Sequence, residues 1–165
     1  MASFSRAFHI PSAFPGLLLS SPATVTDIPD RASVLSANRN VRDPLPGLLD
    51  LQRFAVLETT GEGAEHVVRV IERPPSYLER KVALESALVN LWILGGSLLV
   101  RDADALAAWR QEDPTEVRVP VPDGFYRIDA LWVPSNDANL HVDLFLFKTR
   151  EVIEAAGWAT LGEIW

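Results

Sequence analysis

The sequence predicts a mainly β protein, an antiparallel β-sandwich with one or two short helices. Three observations predict this class: apolar and polar residues alternate in several short segments, turn-forming residues separate those segments, and few stretches have a helical period. The alternation is clearest in Phe125–Val133 and Leu140–Lys148, on either side of the polar loop 134–139. Many short strands with turn signals between them are typical of a sandwich. Because 165 residues suit one domain, we expect a single β-sandwich domain over residues 1–165.

These two strands also predict which side chains face the core, because successive residues of a strand point to opposite sides of the sheet. If the strands are antiparallel neighbours, one apolar set is buried between the sheets. Its main members are Tyr126, Ile128, Trp132, Val142, Leu144 and Leu146. The opposite side carries the polar residues Asp129, His141 and Asp143.

The other strand predictions follow the same alternation and turn signals. They are Phe4–Ile10, Leu17–Leu19, Ala32–Ala37, Arg53–Glu58, Glu65–Glu72, Leu91–Leu94, Leu98–Val100 and Thr115–Val121. Glycine-rich turns at residues 60–63 and 95–96 predict that the strands flanking each turn form hairpins. The segment Tyr77–Leu88 fits a helix or a strand, and we favour a strand.

The two ends of the chain are predicted to be less regular. Six prolines between residues 11 and 50 argue against long helices and predict a proline-rich irregular N-terminal part. The alanine-rich segment Ala103–Gln111 predicts a short helical turn with Asp102 as its cap. The tail over residues 152–165 is predicted to be a short C-terminal helix.

The charge of the chain is negative and unevenly distributed. Lys and Arg number 15 and Asp and Glu number 22, a net charge of −7, and the last 65 residues carry 12 acidic and 6 basic side chains. This asymmetry predicts an acidic face contributed by the second half, with ordinary solubility charge as the alternative. An acidic chain is a poor binder of nucleic acid or an anionic membrane. The longest apolar run, Leu88–Val100, is too short to span a bilayer, so we expect no membrane association and a cytoplasmic location.

Motifs for catalysis and metal binding are missing from the sequence. Without cysteine there is no thiolate nucleophile or ligand, and the three histidines form no H-x-H or H-E-x-x-H pair. There is no G-x-S-x-G, phosphate loop or G-x-G-x-x-G motif. We therefore expect no catalytic residue, no metal and no cofactor. The pair His141 and Asp143 on one strand face leaves a small metal-dependent enzyme as an alternative.

The stretch from Ser76 to Val152 resembles the competence protein J (ComJ) family. The resemblance begins at Tyr77, with Glu79-Arg80-Lys81 leading into Val82, and is closest from Val119 to Leu146. That part has a Pro-x-Gly turn, a Trp-x-Pro exit, a polar loop and Leu140-His141-x-Asp143. The resemblance implies a small β-rich protein that inhibits a DNA-entry nuclease. The half of this chain that resembles the family is also its acidic half.

Together, these observations predict a non-enzymatic inhibitor that binds a protein partner, a nuclease or toxin, through an acidic face. Carboxylates presented to a basic cleft act as phosphate mimics and form charge-assisted hydrogen bonds there. Asp129, Asp137 and Asp143 are predicted to form one acidic patch, in which the three carboxylates repel each other until a cationic partner binds. The predicted partner-binding residues are Asp129, Asp137, Asn139, His141, Asp143 and the C-terminal Trp165. The alternative is a structural β-sandwich subunit of a virion or secretion machine.

Overall fold

Two five-stranded sheets face each other in the computed structural model, which describes residues 7–11, 16–28, 52–59, 65–106, 109–150 and 158–161. The first sheet has the strand order β1-β4-β9-β8-β5 and the second has the order β10-β3-β2-β6-β7. The strands of the first sheet are β1 (Phe8–Ile10), β4 (His66–Ile71), β5 (Glu85–Ile93), β8 (Gly124–Val133) and β9 (Leu140–Lys148). Those of the second are β2 (Gly16–Ser20), β3 (Ala55–Thr59), β6 (Ser97–Asp102), β7 (Val117–Pro120) and β10 (Trp158–Leu161).

Antiparallel pairing dominates both sheets, and the predicted β-sandwich is confirmed. The two parallel pairs are β4 with β9 and β10 with β3. Three short helical segments complete the described part of the chain: α1 (Pro22–Thr26), α2 (Tyr77–Val82) and a 3-10 turn at Ala103–Leu106. None of the described helices is long and apolar enough to cross a membrane.

The main core lies between the sheets and contains the side chains predicted from β8 and β9. These strands are adjacent and antiparallel, with Ile128 opposite Leu146 and Trp132 opposite Val142. Of the predicted set, Trp132 is partly buried and the others are buried. The prediction is confirmed because β8 and β9 each keep an unbroken alternation, so a single register places every apolar side chain inside.

The two predicted hairpins are wrong, although their strands exist. β3 belongs to the second sheet and β4 to the first, and likewise β5 and β6 lie in different sheets. Gly95 and Gly96 have φ values of 108° and 79°, and both their N–H groups donate to the Asp123 carboxylate. This turn carries the chain across the sandwich. A glycine turn between two apolar strands gives the same local sequence signal whether the strands form a hairpin or lie in different sheets, because both strands bury one face in either case.

Residues 77–82 form a helix where we favoured a strand. Ser76 and Glu79 make a capping box: the Glu79 N–H donates to Ser76 Oγ at 3.2 Å, and the Ser76 N–H donates to the Glu79 carboxylate at 2.8 Å. These bonds satisfy two backbone donors that an uncapped helix would leave open. The predicted strand is correct only from Glu85 onward.

The predicted C-terminal helix is also wrong where the structure describes it. Trp158–Leu161 is β10, which pairs in parallel with β3 from Val56 to Thr59. The unpaired edge of β3 offers backbone partners, and such tertiary pairing overrides a weak local helical preference. The rest of residues 152–165 and the predicted strand Ala32–Ala37 lie outside the described residues. The Asp102 cap is present, because its carboxylate accepts the Asp104 N–H at 3.2 Å.

Candidate partner-binding surface

The structure brings three of the predicted site residues to the outer side of the first sheet, which faces away from the second sheet. Asp129 lies on β8, and His141 and Asp143 lie on β9. In the β8–β9 register Asp143 is opposite Leu131, so Asp129 and Asp143 are diagonal neighbours. Asp137 and Asn139 lie in the loop before β9. Trp165 lies outside the described residues.

Asp143 does not present a free carboxylate, because Arg69 binds it. The parallel β4–β9 register places Arg69 directly opposite Asp143. Arg69 Nε donates to Asp143 Oδ1 at 2.7 Å, and Arg69 Nη2 donates to the second carboxylate oxygen, which makes the pair bidentate. The Asp143 side chain is buried, and its hydrogen bond raises the pKa of the Arg69 guanidinium.

Asp129 is held in the same way by two arginines. Arg80 Nη2 of α2 donates to Asp129 Oδ2 at 2.6 Å, and Arg127 Nε of β8 donates to Asp129 Oδ1 at 3.2 Å. The Asp129 side chain is buried beneath them. The expected repulsion among three carboxylates is therefore absent at Asp129 and Asp143, since three arginines neutralise these two groups. Their role in partner binding stays a prediction.

Asp137 is exposed and organises the loop between β8 and β9. Its carboxylate lies 3.0 Å from His141 Nε2 and accepts hydrogen bonds at 2.9 Å from the Asn139 N–H and from Ser135 Oγ. These partners, His141 first, lower the pKa of the Asp137 carboxyl. Asp137, Asn139 and His141 thus form one polar cluster, whose role in partner binding stays a prediction.

A second group of carboxylates surrounds a cavity of about 290 Å³ that sequence reasoning missed. We call it the acidic cleft, and its charged lining residues are Asp102, Asp104, Arg110, Glu112 and Asp113. The sequence predicts Asp102 as the cap of a helical turn, not as part of a cleft. No local sequence pattern connects Asp102 and Asp104 with residues 112–113. Only the folding of the chain brings the two segments together.

The acidic cleft and the Asp137 loop lie at the same end of the sandwich. Pro11 lines the cleft and follows Ile10, the last residue of β1. Ile10 is opposite His66, the first residue of β4, and His66 is opposite Leu140, the first residue of β9. The loop that precedes Leu140 is therefore close to the side of the cleft. We call the acidic cleft together with the Asp137 loop the acidic end.

Arg101 fixes one wall of the cleft from beneath. It is fully buried, donates from Nε to Glu116 Oε2 at 2.7 Å, and donates from its two Nη atoms to the backbone carbonyls of Arg110 and Gln111. Its guanidinium carbon lies 4.4 Å from the ring centroid of the buried Trp109. These contacts hold the backbone immediately before Glu112 and Asp113.

The described histidines and acids offer no metal centre. Among the residues that the structure describes, no group of three or more His, Asp or Glu is placed to hold a metal ion. His66 is buried, with Nε2 2.8 Å from Thr59 Oγ1 of the facing sheet, and burial lowers the pKa of His66 to about 4. His66 thus links the two sheets as a neutral side chain.

Two solved structures share this fold. The protein of crocagin biosynthetic gene J matches with a TM-score of 0.58 and 17% sequence identity, over 91% of this chain and 100% of that chain. ComJ from Bacillus subtilis, an inhibitor of the DNA degrading activity of NucA, matches with a TM-score of 0.52 and 9% identity, over 90% of this chain and 99% of that chain. No protein-family model and no curated protein sequence matches the chain. The predicted resemblance to ComJ is confirmed at the level of the fold.

Proposed function

We propose that this chain is a non-enzymatic protein that binds and inhibits a nuclease. The observation that carries the proposal is the shared fold with ComJ, which inhibits the DNA degrading activity of NucA and matches 90% of the chain. The predicted absence of catalytic motifs is consistent with this role. Each of the three histidines has a side-chain partner: His9 has Glu65, His66 has Thr59 and His141 has Asp137.

The acidic end is the proposed inhibitory surface. Asp104 and Glu112 are exposed on the acidic cleft, and Asp137 is exposed on the neighbouring loop. A concave surface lined by carboxylates concentrates the negative potential and accelerates encounter with a basic partner. A cleft of this size suits an Arg or Lys side chain of a nuclease. Each close charge pair that forms contributes about 1.5–7 kcal/mol of coupling to the partner.

The other predicted site residues take different places in this proposal. Asn139 and His141 stay part of the surface because they belong to the Asp137 cluster. Asp129 and Asp143 stay proposed partner-binding residues, but through the arginines that they hold and outside the acidic end. Trp165 stays a proposed apolar anchor on the partner. The cytoplasmic location is likewise part of the proposal.

The direct test is a DNA degradation assay with purified NucA and with nucleases that co-purify with this chain from its source. We expect an equimolar amount of the chain to stop cleavage. The double variant Asp104→Lys/Glu112→Lys should associate at least about tenfold more slowly at low salt, because steering depends on the charge of the cleft. The matched single reversals are Asp104→Lys on the cleft and Glu72→Lys directly after β4, at the opposite end of that strand from His66. Glu72→Lys changes the net charge equally and should change the association rate much less.

Three results would contradict the proposal. One is that no nuclease tested is inhibited. Another is that the purified chain itself degrades DNA. The third, which would reject only the acidic end as the surface, is equal association rates for Asp104→Lys and Glu72→Lys.

A further inference from the structure

A second surface of the molecule has the opposite charge. We call it the arginine face: the outer side of the first sheet together with α2. Its eight charged side chains are Arg69, Arg73, Arg80, Lys81, Arg127, Glu79, Asp129 and Asp143. Five are cationic and three anionic, so this face is positive on a chain whose net charge is −7.

The carboxylates of the arginine face hold the arginines in place. Asp143 binds Arg69 and Asp129 binds Arg80 and Arg127, all through buried carboxylates. Arg73 donates to both Glu79 oxygens, at 2.6 and 2.9 Å, and lowers the pKa of Glu79 to about 2. Because the guanidinium groups are positioned before any partner arrives, less conformational entropy is lost on binding.

These arginines keep hydrogen-bond donors available. A guanidinium has five N–H donors, whereas Arg80 and Arg127 each use one nitrogen and Arg69 uses two in the bonds described above. The side chains of Arg69 and Arg80 are both 45% exposed. Carboxylates of a partner can therefore reach the arginine face from solvent and accept paired hydrogen bonds from a guanidinium group.

An apolar patch adjoins the arginines. The exposed fractions of its members are 76% for Tyr77, 68% for Leu78, 59% for Val82 and 54% for Leu84. Helix α2 buries none of its side chains, and Tyr77 lies one turn before Arg80. Exposed apolar clusters with a charged border mark interaction sites.

We propose that the arginine face binds an acidic segment of a protein partner that also carries large apolar side chains. Charge complementarity selects the acidic residues of that segment, and the apolar side chains cover Tyr77, Leu78 and Val82. This site differs from the inhibitory acidic end in the charge that it attracts and in the residues that carry that charge. His141 of the Asp137 cluster lies on the same side of the sheet, where the two surfaces meet.

The test is selection of random dodecapeptides displayed on phage against the immobilised full chain, with subtraction on the variant Leu78→Ser/Arg80→Gln. We expect the retained peptides to combine Asp or Glu with Leu, Phe or another large apolar residue. The synthetic peptides should bind the wild-type chain at least about tenfold more tightly than the variant. Raising NaCl to roughly 0.3 M should weaken that binding.

Matched variants separate this site from the proposed function. Arg150→Gln and Asp104→Lys/Glu112→Lys should leave peptide affinity unchanged, and thermal melts establish that each variant folds. Leu78→Ser alone, at an exposed position, should weaken binding even if Arg80→Gln unfolds the chain. The proposal is overturned if no peptide is enriched, if the enriched peptides are basic or purely apolar, or if they bind Leu78→Ser and Leu78→Ser/Arg80→Gln as tightly as the wild-type chain. Self-association abolished by Leu78→Ser would assign the patch to a second copy instead.

Discussion

The acidic end and the arginine face both contain aspartates, but the two sets stand in different environments. On the arginine face, Asp129 and Asp143 are buried and each is bound by an arginine from another element of the fold. At the acidic end, Asp104 and Glu112 are exposed around a cavity, and Asp137 is exposed on a loop. All five acids belong to the acidic half of the sequence. The comparison therefore teaches that what acidic residues offer at a surface depends on whether the fold binds their carboxylates with arginines, as it does for Asp129 and Asp143.

The surroundings of each group decide what it can offer to a partner. A buried carboxylate that already makes bidentate hydrogen bonds with an arginine gains little from a second cation. The exposed part of the arginine is then the group that a partner can bind. An exposed carboxylate without such a partner keeps its full charge for a cationic ligand. Two surfaces of opposite preference are thus proposed for one acidic chain.

The strongest way to break the acidic end is Arg101→Ala. The substitution leaves Glu116 and two backbone carbonyls without their buried donor, and we expect a loss of about 3–5 kcal/mol in the free energy of unfolding. Urea denaturation measures the loss. Arg118 contacts the same Glu116 at 3.7 Å but is 60% exposed, so Arg118→Ala should cost less than about 1 kcal/mol. Equal losses for the two variants would show that Arg101 does not organise this wall of the cleft.

The next effect is a loss of stability in acid, caused by His66 beneath the acidic end. The pKa of His66 is about 4 in the folded chain and near 6.5 in the unfolded chain. Between these two pH values the unfolded state binds a proton that the folded state does not bind. Stability should therefore fall by about 3 kcal/mol between pH 6.5 and 4. Urea unfolding at a series of pH values measures this slope. His66→Gln should remove most of it, whereas the same change at the exposed His9 should not.

The strand faces were predictable from the sequence, and the pairing of strands across the sandwich was not. Alternation in β8 and β9 has one solution that buries the apolar side, so the core residues and the outward direction of Asp129 and Asp143 follow from local sequence. A glycine turn such as Gly95-Gly96 has no local feature that distinguishes a hairpin from a crossing between sheets. The helix α2 did have a local signal, since Ser76 and Glu79 have capping-box spacing before Leu78 and Val82.

The arginine partners of the site had no such signal. Arg69 is 74 residues from Asp143 in sequence, and Arg80 is 49 residues from Asp129. Only the parallel β4–β9 pairing and the position of α2 bring them together. Counting charges by sequence half therefore could not predict which acids stay exposed.

The smallest predicted effect separates the two kinds of aspartate directly. Asp129→Asn removes a buried charge that accepts from Arg80 and Arg127, and it should lower the free energy of unfolding by about 1–3 kcal/mol. The loss stays in this range because both arginines are partly exposed, so water can replace the hydrogen bonds that they lose. Asp137→Asn is the matched change at the acidic end and should cost much less, since Asp137 is exposed and an amide oxygen still accepts from the Asn139 N–H. Binding should show the reverse order: Asp137→Asn should weaken association with a basic partner at low salt, and Asp129→Asn should disturb acidic peptide binding at the arginine face. If urea denaturation gave the two variants equal stabilities, the distinction between neutralised and available carboxylates would be wrong.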